Sequence, residues 1–252
     1  MMLMGRGVMT VERVRRVSDA MHDQGGGAGL SVTGRSTFLK SVALPAKPAN
    51  QVGRFYPRYG KRLFDILFSI AFLSAIGIWL LPLIALAVRL DSSGPVLFRQ
   101  RRVGLGGRLF VCLKFRTMVH NPKAEFAQVT KNDPRVTRVG AFLRKTNLDE
   151  LPQFINVLLG DMSVVGPRPH VPELDETFSD SVPAYASRNL VRPGVTGLAQ
   201  VSGCRGETRS VRDMNHRVRF DVFYIRSLSF VIDLKVIFKT VWSAVLGDER
   251  AF

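Results

Sequence analysis

The 252-residue chain carries 36 Lys and Arg against 20 Asp and Glu, a net charge of +16, with 46% apolar residues and a mean hydropathy of +0.10. Two cysteines exclude a disulfide framework, and four scattered histidines without Cys/His spacing of the zinc type give no transition-metal site. The charge calls for an anionic partner: nucleic acid, an anionic membrane surface or a phosphorylated substrate.

In chain order, residues 1–60 read as a basic, flexible tail. They hold "HDQGGGAGLSVTGRS" and "LPAKPANQ" with no sustained period of 3.6 or 2, apart from a short helix over Val11–Met21. No apolar run follows the early arginines, so the N-terminus does not read as a secretory signal.

The stretch Ile66–Val88 contains no charged residue. A straight helix of that length spans roughly 35 Å, enough to cross a bilayer. Two features favour re-entry over crossing. Both flanks are basic (Arg54, Arg58, Lys61 and Arg62; Arg89, Arg99, Arg101 and Arg102), which places both ends on the cytoplasmic side. Leu81–Pro82 also interrupts the helix, because Pro lacks an N–H and disfavours helical geometry before it. Pro82 is the expected break.

"GPVLFRQRRVGLGGRLFVCLKFRTM" reads as two strands joined by a glycine turn at Gly104–Gly107. It is no phosphate loop: no Lys-Ser/Thr follows and no helix opens there. Period-two alternation puts Lys114 and Arg116 on one face, which suits either a diphosphate or solvent.

Around Asp133–Pro134 a turn leads to a short helix ending near Arg144, and a second helix begins at Thr146 or Asn147. Thr146-x-x-Asp149 and Asn147-x-x-Glu150 both fit a capping box. Neighbours on a helix point about 100° apart, so the two acids cannot cap the same groups. One carboxylate is left over beside Arg144. Beyond it, Gly166, Pro167, Pro169 and Pro172 restrict the backbone around Arg168, presenting a rigid guanidinium suited to a bidentate anion contact.

The C-terminal "SFVIDLKVIFKTVWSAVL" has Lys235 and Lys239 on one face and an apolar stripe of Val231, Leu234, Phe238 and Val241. It fits an interfacial helix and equally a core-packing amphipathic one.

Together these pieces resemble the bacterial sugar transferase family, the monotopic phosphoglycosyl transferases acting on polyprenyl phosphate. The matching segments, in family order, are "KRLFDILFS", "DSSGPVLFRQRRVG", "LKFRTM", "DPRVTRVGAFLRKTNLDELPQFINVLLGDMSVVGPRP", "VRPGVTGLAQVSG" and "FDVFYIRSLSFVIDLKVIFKT", covering about residues 61–245. The resemblance implies transfer of a hexose 1-phosphate from a UDP-sugar to polyprenyl (undecaprenyl) phosphate, with release of UMP. It implies the cytoplasmic face of the bacterial inner membrane and the first membrane step of exopolysaccharide or capsule assembly. By the same match Asp149 is the nucleophile that holds a covalent phosphosugar, Glu150 assists, and Mg2+ is the cofactor, bound through Asp149. Lys114, Arg116, Arg144 and Arg168 are the cations expected to offset the substrates' phosphate charge.

The chain departs from the family in having Leu81–Pro82 where many members have Ser-Pro, and in residues 1–60. "VSGCRGET" resembles members that handle glucose or galactose 1-phosphate. The expected fold is α+β: residues 61–90 a re-entrant membrane helix, residues 91–252 a cytoplasmic catalytic domain with interfacial helices and a small antiparallel sheet. UDP-sugar, polyprenyl phosphate and membrane lipids are the expected partners, and nucleic acid is not. The rival reading is a non-catalytic polybasic membrane adaptor, which leaves Asp149–Glu150 and the proline-flanked Arg168 without a reason.

Overall fold

The computed structural model describes residues 56–121, 129–130, 133–204, 206, 208 and 210–246. The tail up to residue 55, with its expected helix at Val11–Met21, lies outside the described residues. The folded unit reaches back into the segment read as tail, because a π-helical turn, Tyr56–Gly60, leads directly into the first α-helix.

That helix, α1 (Lys61–Phe72), passes through a second π turn, Leu73–Gly77, into α2 (Ile78–Asp91). The run Lys61–Asp91 is 31 residues long and holds an 18-residue stretch with a mean hydropathy of 2.4, long and apolar enough to cross a membrane. Pro82 lies inside α2 rather than at a break, a correction to the sequence reading. It removes the N–H that would bond the Ile78 carbonyl, and the widened turn ends at Gly77, the residue before that carbonyl. The irregularity therefore sits one turn upstream of the proline.

Both halves of this run pack on the same unit. Phe72 stacks on Phe154 with centroids 4.3 Å apart, and Phe68 joins the same cluster. Ile84 and Val88 pack with Phe115 and Leu143, and Leu151 touches both clusters. The outward side is apolar as well: Leu63, Leu67, Ile70, Ile76, Trp79 and Leu83 are all exposed.

The expected hairpin is present. Strand β1 (Leu97–Val103) pairs antiparallel with β2 (Leu109–Phe115), Lys114 opposite Phe98. Helix α3 (Arg138–Thr146) is capped by Thr137, whose Oγ1 accepts from the Gly140 N–H at 3.0 Å. Gly140 has to be glycine here, because a Cβ would run into the Thr117 carbonyl and backbone. Helix α4 (Gln153–Leu159) opens after Pro152. Asn156 on α4 accepts from Leu113 N–H at 3.0 Å and donates to the Val111 carbonyl at 2.8 Å, fastening the hairpin to the helix. At the other end Arg62 of α1 donates to the Val157 and Leu158 carbonyls at 2.6 and 3.0 Å, satisfying carbonyls the helix leaves open.

A second, parallel pair joins β3 (Ser163–Val165) to β4 (Gly194–Thr196), a feature the sequence did not disclose. Helix α5 (Pro172–Phe178) lies between them in the chain; α6 (Leu198–Val201), α7 (Val211–Ser227) and α8 (Phe230–Leu246) follow β4. On α8 the alternatives resolve: Val231, Leu234, Phe238 and Val241 are exposed, while Asp233 and Val236 face inward. The stripe does not pack into the core.

Asp233 is fully buried and collects three partners. Tyr56 and Tyr224 donate to it at 2.5 and 2.7 Å, and Lys61 pairs with it at 2.9 Å. Lys61 also pairs with buried Asp65, which accepts from Ser163 Oγ and the Val164 N–H, each at 3.0 Å. This network fixes the root of α1 to β3 and α8. Asp233→Ala removes a fully buried carboxylate, leaves Lys61 with Asp65 alone and takes from the Tyr56 and Tyr224 hydroxyls the acceptor they share, a loss of about 3–5 kcal/mol. We expect the apparent unfolding midpoint in detergent to fall by about 10 °C; a midpoint within about 2 °C of native would show the network to be dispensable.

Candidate active site

Asp149 and Glu150 do not start a helix. They occupy a 3-10 turn, Leu148–Glu150, between α3 and α4. Neither expected capping box forms: Asn147 ends α3 in the left-handed region at φ 59°, and the Thr146 hydroxyl turns back to the Phe142 and Leu143 carbonyls. Pro152 explains the displacement: having no N–H, it cannot bond the Leu148 carbonyl, and α4 begins only after it. Both acids are buried.

Glu150 is clamped from two sides. Lys114 of β2 donates to its Oε1 at 2.7 Å, and Arg168 reaches both oxygens, Oε1 at 2.7 Å and Oε2 at 3.2 Å. Burial by itself pushes this carboxyl up, but Arg168 and Lys114 outweigh it and hold Glu150 well below the usual carboxylate range. Asp149 has the opposite character. Among the described residues its carboxylate makes no hydrogen bond or ion pair. Its carboxyl is raised from 3.8 to about 6: burial and Glu150 push it up further than Lys114, Arg144 and Arg168 pull it down.

Of the four expected cations, three lie around this pair. Arg144 is held by Thr117, its Nε donating to Oγ1 at 2.8 Å, and lies close enough to favour ionised Asp149. Three cations thus face two carboxylates. Arg116 is the exception and corrects the alternation argument. Just past β2, its Nη2 donates to Ser92 O at 2.5 Å and Ser92 Oγ at 3.1 Å, closing the carboxyl end of α2. The period-two rule ends with the strand at Phe115.

The rigid loop around Arg168 forms as its prolines suggest, with a glycine required at its start. A Cβ on Gly166 would collide with the Arg192 carbonyl and the Gly194 N–H. Sequence reasoning missed the groups behind the loop: Arg102, His170, Arg188 and Asp221. Asp221 carried the only readable signal, an acid on the inner face of amphipathic α7.

Asp149 is the residue that could offer a carboxylate to a hard divalent cation such as Mg2+. No cluster of three or more His, Cys, Asp and Glu occurs among the described residues. One buried, unpaired carboxylate at Asp149 matches the habit of Mg2+ to take one or two protein carboxylates together with phosphate oxygens and water.

A family model described as bacterial sugar transferase matches residues 56–247. A UDP-glucose:undecaprenyl-phosphate glucose-1-phosphate transferase of Caulobacter vibrioides is 47% identical over 207 residues, 82% of this chain and 77% of that one. A Klebsiella pneumoniae protein of the same name is 50% identical over 209 residues, 82% of this chain but 44% of its own length. The exopolysaccharide production protein PSS of Rhizobium leguminosarum is 46% identical over 188 residues, 73% of this chain and 94% of that one. The chain therefore spans less than half the length of the Klebsiella relative.

Asp149 keeps its proton to higher pH folded than unfolded, so its ionisation costs the folded state stability above about pH 6. A rise from 3.8 to about 6 corresponds to about 3 kcal/mol as an upper figure. Asp149→Asn is accordingly expected to melt higher than the native protein at pH 8. The advantage shrinks as pH falls through 6 and is gone near pH 4, once both states hold the proton. Thermal scans across pH with EDTA present check this; a variant no more stable at pH 8 contradicts it.

Proposed function

The chain belongs to the bacterial sugar transferase family, and on that premise we propose that it moves a hexose 1-phosphate, glucose first and galactose second, from a UDP-sugar to undecaprenyl phosphate. The observation that carries this reading is the division of labour in the acid pair. Glu150 is tied down by Lys114 and Arg168, and Asp149 is left buried and unpaired among the described residues. A polybasic adaptor needs no such pair.

In this mechanism an ionised Asp149 oxygen attacks the sugar-bearing phosphorus of the UDP-sugar. The bond from that phosphorus to the bridging oxygen breaks, and UMP leaves with the electron pair. A phosphate oxygen of undecaprenyl phosphate then attacks the same phosphorus, restoring the Asp149 carboxylate and forming the lipid diphosphate sugar. Burial disfavours solvated carboxylate, so Asp149 is less stabilised before attack than an exposed acid. Arg144, Lys114 and Arg168 bring fixed positive charge to where phosphate oxygens gather, and Glu150 keeps the latter two in place. A magnesium ion at Asp149, when bound, would neutralise part of the diphosphate charge.

We place this site on the cytoplasmic face of the inner membrane, with residues 61–90 dipping into one leaflet and residues 91–252 as the catalytic domain, to which Tyr56 is tied through Asp233. Support comes from Phe68, Phe72, Ile84 and Val88, which draw both halves of the apolar run onto one unit, and from its basic flanks. The exposed stripe of α8, with Lys235 and Lys239 alongside, suits the headgroup boundary. The product would start an exopolysaccharide or capsule repeat.

Two measurements test these proposals. UMP release by detergent-solubilised protein should require both UDP-glucose and undecaprenyl phosphate and fall by about 10³-fold or more in Asp149→Asn; a fully active variant would refute the nucleophile. In a Cys204→Ser background, single cysteines at Tyr59 and Ser93 should both react with an impermeant maleimide from the cytoplasmic side of inverted vesicles. Labelling of the two from opposite sides would mean that the run crosses the bilayer.

A further inference from the structure

Three successive carbonyls of the Arg168 loop are held from outside. Arg168 O accepts from Arg188 Nη2 at 2.7 Å, Pro169 O from Arg102 Nη1 at 2.8 Å, and His170 O from the Val103 N–H at 2.9 Å. The loop cannot hold itself by a regular ladder, because Pro167 and Pro169 have no N–H to offer. Its side chain Arg168 nevertheless has to meet both oxygens of Glu150.

Arg188 is the centre of that support. Every guanidinium nitrogen is used: Nε donates to Asp221 Oδ2 at 2.7 Å, Nη1 to His170 Nδ1 at 2.6 Å, and Nη2 to the Arg168 carbonyl. Both partners of the Arg188–Asp221 pair are buried. Burial, then Arg188 and the neighbouring arginines 217, 102 and 168, hold His170 well below its ordinary range, so its ring stays neutral and Nδ1 can accept. The Tyr185 hydroxyl lies 2.7 Å from the same Nδ1 and donates to Asp175 at 2.8 Å, while its ring lies against Arg188, 5.3 Å from centroid to guanidinium carbon.

We propose that Arg188 and Asp221 are positioning residues for the phosphosugar transfer: Asp221 orients the Arg188 fork, and the fork fixes the 168–170 backbone so that Arg168 meets Glu150. Neither touches the acid pair, and their effect passes through Arg168. The inference rests on the proposed transferase reaction. Its chemistry is geometric: an ammonium offers one nitrogen where the fork offers three in a plane, so lysine at 188 cannot reproduce the contacts. Asparagine at 221 keeps the shape of the side chain but loses the charge that anchors a fully buried guanidinium.

The test is a double-mutant cycle on the full chain in detergent with UDP-glucose, undecaprenyl phosphate and Mg2+. Asp221→Asn and Arg188→Lys should each lower kcat about tenfold with KM for UDP-glucose changed less than about threefold. Placed on Arg168→Ala, Asp221→Asn should add less than about twofold, because its route of action is already gone. A full tenfold loss on that background, or native turnover in Asp221→Asn, overturns the proposal. Hydrogen exchange gives a readout independent of turnover. The Arg168, His170 and Val171 amides should exchange faster in Asp221→Asn while those of Leu97–Phe115 do not, and unchanged exchange at 168–171 overturns the proposal whatever the activity. If the native protein releases no UMP from any UDP-sugar, the transferase reading has failed, and the exchange data alone decide whether Asp221 orders the loop.

Discussion

A buried carboxylate with two cations on it is the constraint around which the rest of this site is arranged. Glu150 can remain ionised out of water only because Lys114 and Arg168 supply charge and hydrogen bonds at 2.7 Å. Those two cations arrive from separate parts of the chain, a hairpin strand and a proline-bound loop. Each carrier must therefore be rigid. Asn156 fastens the hairpin to α4, and Arg188 with Arg102 fastens the loop. The acid turn itself is held between α3 and α4, with Gly140 permitting α3 to lie against the Thr117 backbone. Charge pairing at one carboxylate thus dictates contacts more than sixty residues apart in sequence.

The same logic extends to the apolar run. A helix of its hydropathy would be indifferent to its partner if only its greasy surface mattered, yet its first turns carry Lys61, Arg62 and Asp65, and each has a defined partner in the folded unit. The inner face is specified by aromatic stacking and a buried polar network, the outer face by bare aliphatics. One side meets protein and the other is exposed and apolar, and α8 repeats the pattern on a smaller scale.

What the sequence revealed follows from the range of the interactions involved. The hairpin was legible because alternation and the glycine turn are local; so were the apolar run and the stiffness around Arg168. The acid pair was visible as a candidate, but its helix start was misread, since Pro152 moves the start of α4 past it. Lys114 and Arg116 looked equivalent under period two, and only tertiary structure separates one that meets Glu150 from one that closes α2. Pro82 was over-read: a proline predicts a lost hydrogen bond, not where the helix relieves it. The parallel β3–β4 pair and the Arg188–Asp221 pair depend on long-range contacts between short or unremarkable segments, and no periodicity announces those.

The asymmetry of the two acids then has a physical origin that neighbouring positions alone do not supply. In a regular helix their side chains would share a gradient of solvent and charge. The 3-10 turn, ended by the left-handed Asn147 on one side and Pro152 on the other, sends one carboxylate to two cations and leaves the other unpaired among the described residues, in the same low-dielectric space. Satisfying Glu150 consumes Lys114 and Arg168 as direct partners, so Asp149 feels them only at a distance. Desolvation without a direct partner is costly for a structural residue, and it sets Asp149 apart as the candidate for chemistry rather than for packing. The positive charge left over is chiefly that of Arg144, which Thr117 holds near Asp149.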